Sequence, residues 1–299
     1  MSKRAVKLWR QVFESGDEKR LAGQIQDLSD LVIHKDIPYL PDGDRGHLLD
    51  IYERPELSED APVMVNIHGG GLFASYKEVN ANFNYEWARM GYRVVSLSYR
   101  RIPEVKLWNQ IDDVMRALRF LKEQAGTLCL NLDRCYLTGD SAGALLSLFV
   151  LCINSSEKLQ KDFGISGLGF SFKKAGLISI MLKTQRKDFM FAINDVITDE
   201  LDKGKHYEKY LLDPGSMVKE VRLVPLMLVS SAEDAIRKDT LALRMLLLDA
   251  GCSFQFLDFP KGIERKLIHV FSVQYPMYPE SREVFDRMSS FFLESGSAS

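Results

Sequence analysis

Gly139-Asp140-Ser141-Ala142-Gly143 is the segment of this chain whose residue types and spacing could do chemistry. It lies between a β-rich run, Arg134 to Thr138, and an apolar helical run, Ala144 to Leu151. A Gly-x-Ser-x-Gly between strand and helix makes a sharp turn, with the serine Oγ held above a sheet. There the positive end of the helix dipole favours developing negative charge. Glycine at both flanks removes bulk that a strained turn cannot hold. Upstream, His68-Gly69-Gly70-Gly71 follows the apolar run Val63 to Ile67. A glycine-rich turn after an early strand can aim backbone N–H groups at an oxyanion. The two motifs together imply acyl transfer at a serine.

A serine hydroxyl is a poor nucleophile until a base takes its proton, and that base needs a carboxylate to orient it. The chain has five histidines: His34, His47, His68, His206 and His269. On strand–turn–helix scaffolds of this kind the order is serine, acid, histidine. Only His269 lies beyond the last strand-like run, so it is the expected base. Glu233 and Asp234 both follow the run ending near Ser230 and both qualify as the acid, with Asp234 preferred. His68 sits inside the glycine turn and is expected to brace it. His47 is expected to be a partly exposed sheet residue beside Asp50.

The elements that must position these groups alternate. Strands are expected near 46–53, 63–67, 93–99, 134–138, 175–182, 224–230 and 254–259, with amphipathic helical runs between them and after the last. Such alternation implies an α/β fold with a mostly parallel central sheet covered by helices on both faces. Ser75 and Glu78 have the spacing of a helix capping box. The first forty residues read as two helical stripes, Val6-Trp9-Phe13 and Leu21 to Val32, broken at Ser15-Gly16-Asp17. Residues 1–299 are therefore read as one domain, with 1–40 an N-terminal helical cap segment. Residues 183–220, carrying Phe189, Met190, Phe191, Ile193, Tyr207 and Tyr210, are read as a cap insertion over the sheet's carboxyl edge.

Composition narrows the partners. Hydrophobic content of 46%, charged content of 27% and a net charge of −2 describe a globular chain with no bias toward nucleic acid or an anionic membrane. The four cysteines, Cys129, Cys135, Cys152 and Cys252, form no C-x-x-C pair and are expected as reduced, mostly buried thiols in a cytoplasmic protein. No cluster with metal-ligand spacing is present, so neither metal nor cofactor is expected. A small-molecule substrate is the expected partner, and a homodimer is left open.

With these residues in place, the chain resembles the hormone-sensitive-lipase-like branch of the α/β-hydrolases, of bacterial carboxylesterase type. His68 to Gly71 matches the HGGG turn and Gly139 to Gly143 matches GDSAG. Tyr99 to Glu104 resembles YRLAPE, Ala232 to Arg237 resembles the acid segment E-x-D-P-L-R, and His269-Val270-Phe271 resembles HGF. The resemblance implies an α/β-hydrolase fold, to which the two cap segments read above would add a small helical cap. It makes Ser141 the nucleophile, His269 the base and Asp234 its orienter. The N–H groups of Gly70, Gly71 and Ala142 would form the oxyanion hole, and His68, Gly69, Gly139, Asp140 and Gly143 would shape the motifs. It implies hydrolysis of carboxylic esters through an acyl-enzyme, and the bulky side chains of the two cap segments are expected to limit the acyl group to short chains. An amidase, arylformamidase or lactonase on the same triad is the alternative, and a non-catalytic ligand receptor is a further one. Leu72, Ala235 and Val270 depart from the family's usual residues.

Overall fold

A computed structural model describes residues 3–186, 194–198 and 201–294. Among these, eight strands form one sheet in the order β1-β2-β4-β3-β5-β6-β7-β8. They are β1 (Val32–Pro38), β2 (Leu48–Glu53), β3 (Val63–Ile67), β4 (Arg93–Leu97), β5 (Cys135–Asp140), β6 (Ala175–Ile178), β7 (Leu226–Ser231) and β8 (Phe254–Phe259). β1 and β2 pair antiparallel, as do β2 and β4, and every pair from β4 to β8 is parallel. Central β3 and β5 are buried at every position, which is why Val63 to Ile67 reads as a nearly unbroken apolar run. Edge strand β1 is mostly solvated.

Two apolar cores flank the sheet. One holds α3 (Leu107–Glu123), α4 (Ala142–Asn154), α5 (Glu157–Phe163) and α8 (Arg237–Asp249) against the odd side chains of β3. The other holds α2 (Ala81–Arg89), α9 (Phe271–Gln274) and α10 (Pro279–Leu293), with Trp87, Phe285 and Phe292 at its centre. α4 is apolar all round because it is buried all round. No single helix among the described residues is long and apolar enough to cross a membrane.

The N-terminal segment departs from its expected form. α1 (Lys3–Ala22) runs unbroken through Ser15-Gly16-Asp17. Glycine disfavours a helix interior by only about 1 kcal/mol, and here the flanking Glu14 and Asp17 are anchored on the body of the protein. The helix stops at Gly23, whose N–H takes the carbonyls of Lys19 and Arg20. Residues 32–38 are not helical: the β-branched pair Val32-Ile33 and Ile37 pair with β2. Ser75 is likewise no cap. Tyr76 precedes a short 3-10 turn, Lys77–Asn80, and the Ser75 hydroxyl bonds Asp17 instead. His47 lies in a 3-10 turn, buried between Asp42 (2.7 Å) and Asp113 (3.3 Å), rather than half-exposed on a strand.

In the expected insertion, α6 (Asn194–Ile197) and α7 (Glu208–Leu212) are described, while Phe189, Met190, Phe191 and Ile193 lie outside the described residues. Tyr207 and Tyr210 stack on Phe163 of α5, and Tyr207 also meets Trp108 at the start of α3. Of the cysteines, Cys135 and Cys152 are buried and Cys129 is exposed; all four are free.

Candidate active site

Ser141 is the residue between β5 and α4. Its backbone sits at φ 51°, ψ −114°, a conformation that only an over-determined site imposes on a non-glycine residue. The imposition is visible. Ser141 N donates to Ile178 O at 2.9 Å, and Ser141 O accepts from Met181 N at 3.1 Å. Both flanking glycines are required by close approach. A Cβ on Gly143 would stand 2.0 Å from Ile67 O, and one on Gly139 would stand 2.5 Å from Gly143 O.

β7 delivers the acid and the loop after β8 delivers the imidazole. His269 Nε2 stands 2.9 Å from Ser141 Oγ, and His269 Nδ1 stands 2.8 Å from Asp234 Oδ1. Asp234 also accepts from Ile236 N at 2.9 Å. Burial alone would raise the Asp234 carboxyl, but the His269 hydrogen bond and charge, with Ser179 and the Ile236 amide, hold it below the ordinary value. Its neighbour Glu233 points elsewhere and takes Gly262 N and Leu267 N, ordering the loop that leads to His269. The two candidate carboxylates are thus separated by geometry. Val270 is held at φ 51°, which accounts for the glycine usual at this place in the resembled family.

The glycine turn follows β3. Gly70 and Gly71 have φ of 112° and 60°, and a Cβ on Gly70 would stand 2.2 Å from Ala74 O. Phe73 N and Ala74 N both donate to Gly70 O, closing the turn. Among the described residues, Gly70 N, Gly71 N and Ala142 N donate to no protein acceptor. His68 lies inside: its Nδ1 is 2.6 Å from Gly69 O, and its ring stacks on Tyr99 with centroids 4.4 Å apart. Burial pushes His68 down to about 4, so it is neutral at physiological pH. Tyr99 Oη donates to His68 O at 2.9 Å.

Asp140 joins turn to elbow. Its Oδ1 accepts from Gly69 N at 3.1 Å and from Asn80 Nδ2 at 2.7 Å. Asn80 also donates to Asn66 Oδ1, and Asn66 donates to Thr138 Oγ1. Burial pushes Asp140 up to about 6, against the pull of Asn80, His269 and the Gly69 amide. Sequence reasoning missed Asn66 and Asn80. The available signal was Asn66 itself, an amide inside a buried apolar run that must find a partner.

These groups open into a pocket of about 150 Å³. Its floor is Gly69 to Gly71, Asp140, Ser141 and His269, and its walls are Met181, Arg186, Ile236, Val270 and Val273. The roof is α1, through Phe13, Asp17 and Arg20. Arg20 reaches Val79 O and Gln274 O, carbonyls of two separate segments.

The BD-FAE family model matches residues 49–180. Esterase LipQ of Mycobacterium tuberculosis is 33% identical over 131 residues, 43% of this chain and 31% of that protein. An acetyl-hydrolase of Streptomyces hygroscopicus is 24% identical over 270 residues, 82% of this chain and 80% of that protein. The chain thus spans about a third of the first relative and four fifths of the second. Among solved structures, Esterase B of Lactobacillus rhamnosis superposes with a TM-score of 0.88 at 28% identity, covering 97% of this chain and 95% of that one. A further structure of Esterase B, with a C4-C4 SN3 tributyrin phosphonate, gives the same TM-score.

Proposed function

We propose that this chain, an α/β-hydrolase of the hormone-sensitive-lipase-like esterase type by its motifs, fold and relatives, hydrolyses short-chain carboxylic esters. The observation that carries the reading is the relay Ser141–His269–Asp234, with contacts of 2.9 and 2.8 Å, beside the Gly70 and Gly71 N–H groups, which donate to no protein acceptor among the described residues.

Ser141 Oγ attacks the ester carbonyl while His269 Nε2 takes its proton. Asp234 holds the ring through Nδ1 and stabilises the imidazolium. The carbonyl oxygen becomes an oxyanion that accepts from Gly70, Gly71 and Ala142 N–H; one such donor is worth on the order of 3 kcal/mol in the transition state. His269 then protonates the leaving alkoxide and the alcohol departs, leaving the acyl group on Ser141. A water gives its proton to His269 and attacks the acyl-enzyme. Collapse returns that proton to Ser141 and releases the carboxylic acid. No step calls for a cofactor.

The short-chain part rests on the size of the pocket. About 150 Å³ lies well below the ~300–1,000 Å³ of ordinary ligand sites. The phosphonate in Esterase B carries C4 chains, which is in keeping with it. The four free cysteines fit a reducing, cytoplasmic setting.

A ladder of p-nitrophenyl esters from acetate to palmitate, with a formanilide and a lactone alongside, tests the reading. Butyrate and shorter esters should turn over fastest, and a fluorophosphonate should label Ser141 alone. Faster turnover of palmitate overturns the chain-length assignment. Formanilide turnover matching the best ester moves the chain to the amidases, and no label on Ser141 overturns the triad.

A further inference from the structure

The glycine turn is held from two sides. On the sheet side Asp140 takes Gly69 N, and Ile102 N and Gln110 Nε2 both donate to Leu72 O. On the outer side α1 takes over. Glu14 Oε1 accepts from Ser75 N at 3.1 Å, Asp17 Oδ2 accepts from Ser75 Oγ at 3.2 Å, and the Phe13 ring meets Phe73 edge-on at 5.3 Å. Leu72 and Ser75 are held at φ 73° and 68°, so the turn needs outside support to keep its shape. The remaining contact is made by Arg10, a buried guanidinium whose Nε donates to Phe73 O at 2.5 Å.

That contact heads a chain. Phe73 C=O and Ala74 N–H belong to one planar peptide and point in opposite directions. Ala74 N donates to Gly70 O at 2.9 Å. Gly70 C=O and Gly71 N–H likewise share one peptide plane. A hydrogen-bonded line therefore runs from Arg10 through two peptide units to the Gly71 N–H, each donor feeding the next carbonyl. Hydrogen bonds arranged in series polarise one another, and a cation at the head strengthens the donor at the tail. Arg10 is itself fixed, by Ile102 O at 2.6 Å and by the Glu104 carboxylate.

We propose that Arg10 is a positioning residue for ester hydrolysis, one that aims and polarises the Gly71 N–H from the N-terminal helix. The proposal rests on the oxyanion role given to the turn above. On this account α1 is part of the catalytic frame as well as a roof.

Arg10→Met removes the cation and the donor, and Arg10→Lys keeps the cation and one donor. In the full-length protein Arg10→Met should lower kcat about tenfold, a fraction of the 10²–10³ that removing a whole oxyanion donor costs, and leave KM within about twofold. The affinity for an alkylboronic acid, whose adduct on Ser141 carries the oxyanion, should fall by the same factor. Arg10→Lys should recover most of both. Gln24→Ala loosens the same segment at its contact with Gln274 O without touching the turn, and should keep kcat and boronate affinity. A folded Arg10→Met with unchanged kcat and boronate affinity overturns the proposal. So does an equal loss in Gln24→Ala, which would make helix docking the cause. If Arg10→Met fails to fold, the graded pair Arg10→Lys and Arg10→Gln decides on the same two readouts. A wild-type protein that neither hydrolyses esters nor binds the boronate overturns the oxyanion reading, and this proposal with it.

Discussion

The floor of the pocket is made of backbone and its roof of side chains. On the floor, Ser141, Gly70 and Gly71 hold positive φ, and Gly139, Gly70 and Gly143 stand where a Cβ would collide. On the roof, α1 is an ordinary helix that reaches the body through Arg10, Phe13, Glu14, Asp17 and Arg20. A floor built from forbidden dihedrals admits few residue types, so its composition betrays it. A roof built from side chains reaching down to the backbone and side chains below admits many, and its identity depends on what happens to lie beneath.

The floor should therefore fail abruptly. Ser141→Ala keeps the smallest side chain that still has a Cβ, so the fold should persist while kcat falls by roughly 10⁴ or more. Steady-state kinetics with p-nitrophenyl butyrate, alongside a thermal melt, checks this. A variant that retains a tenth of wild-type turnover removes Ser141 from the reaction and breaks the comparison at its strongest point.

Asp234→Asn is expected to cost on the order of 10⁴ in kcat, because the imidazole loses the partner that sets its tautomer. Glu233→Gln should be mild, since the amide oxygen can still accept from Gly262 N and Leu267 N. Measuring both variants side by side separates neighbours that composition cannot. A reversed ranking would show that the loop geometry around His269 has been misread.

This pair also marks how far the residues alone could be read. The elbow, the glycine turn, His269 and the alternation of strands and helices were all visible, because each is a local demand on backbone or periodicity. The preference for Asp234 over Glu233 was also legible, but its physical reason needed the direction of β7 and the path of the following loop, which turn Asp234 to His269 and Glu233 to Gly262 N and Leu267 N. The N-terminal segment departs from its expected form for the converse reason. Ser15-Gly16-Asp17 looks like a break because local propensity says so, yet Ser75 and Arg101 hold Glu14 and Asp17 in place and the helix continues. Residues 32–38 look amphipathic in either period, and only pairing with β2 makes them a strand. Arg10 carries no signature at all, for an arginine on a helix is unremarkable until its neighbour's carbonyl is known.

The buried carboxyl under the floor offers a test on stability rather than rate. Burial raises Asp140 to about 6, above its unfolded value of 3.8, so the folded state holds the proton more tightly. Its stabilising contribution is present below pH 3.8 and is lost as pH rises through 6. At neutral pH the ionised group then costs on the order of 3 kcal/mol. Asp140→Asn keeps an oxygen for Gly69 N and Asn80 Nδ2 and removes the charge. Its Tm should exceed wild type at pH 7.5, with the gap closing toward pH 4. Thermal melts across that range check it, and a gap that stays constant or reverses would show that the network of Gly69, Asn80 and Asn66 fully solvates the carboxylate.

The roof should yield gradually, and Phe13 gives the smallest effect. Its ring lines the pocket, leaning edge-on against Phe73 at 5.3 Å and Trp9 at 6.4 Å. It donates no hydrogen bond to the floor, and Arg10, Glu14 and Asp17 still hold the turn without it, so Phe13→Ala should leave kcat for acetate esters within about threefold. It should instead widen the pocket by most of a ring. A methylene group gained or lost in an apolar pocket changes discrimination by roughly 1–3 kcal/mol. The ratio of kcat/KM for hexanoate over acetate should thus rise by about tenfold, or the corresponding ratio on a ladder of alcohol lengths if the ring faces the leaving group. One ladder must shift and the other stay. If both ratios hold at their wild-type values while the protein remains folded, α1 does not bound the substrate, and the limit on chain length lies in Met181, Ile236 and Val273 on the pocket walls.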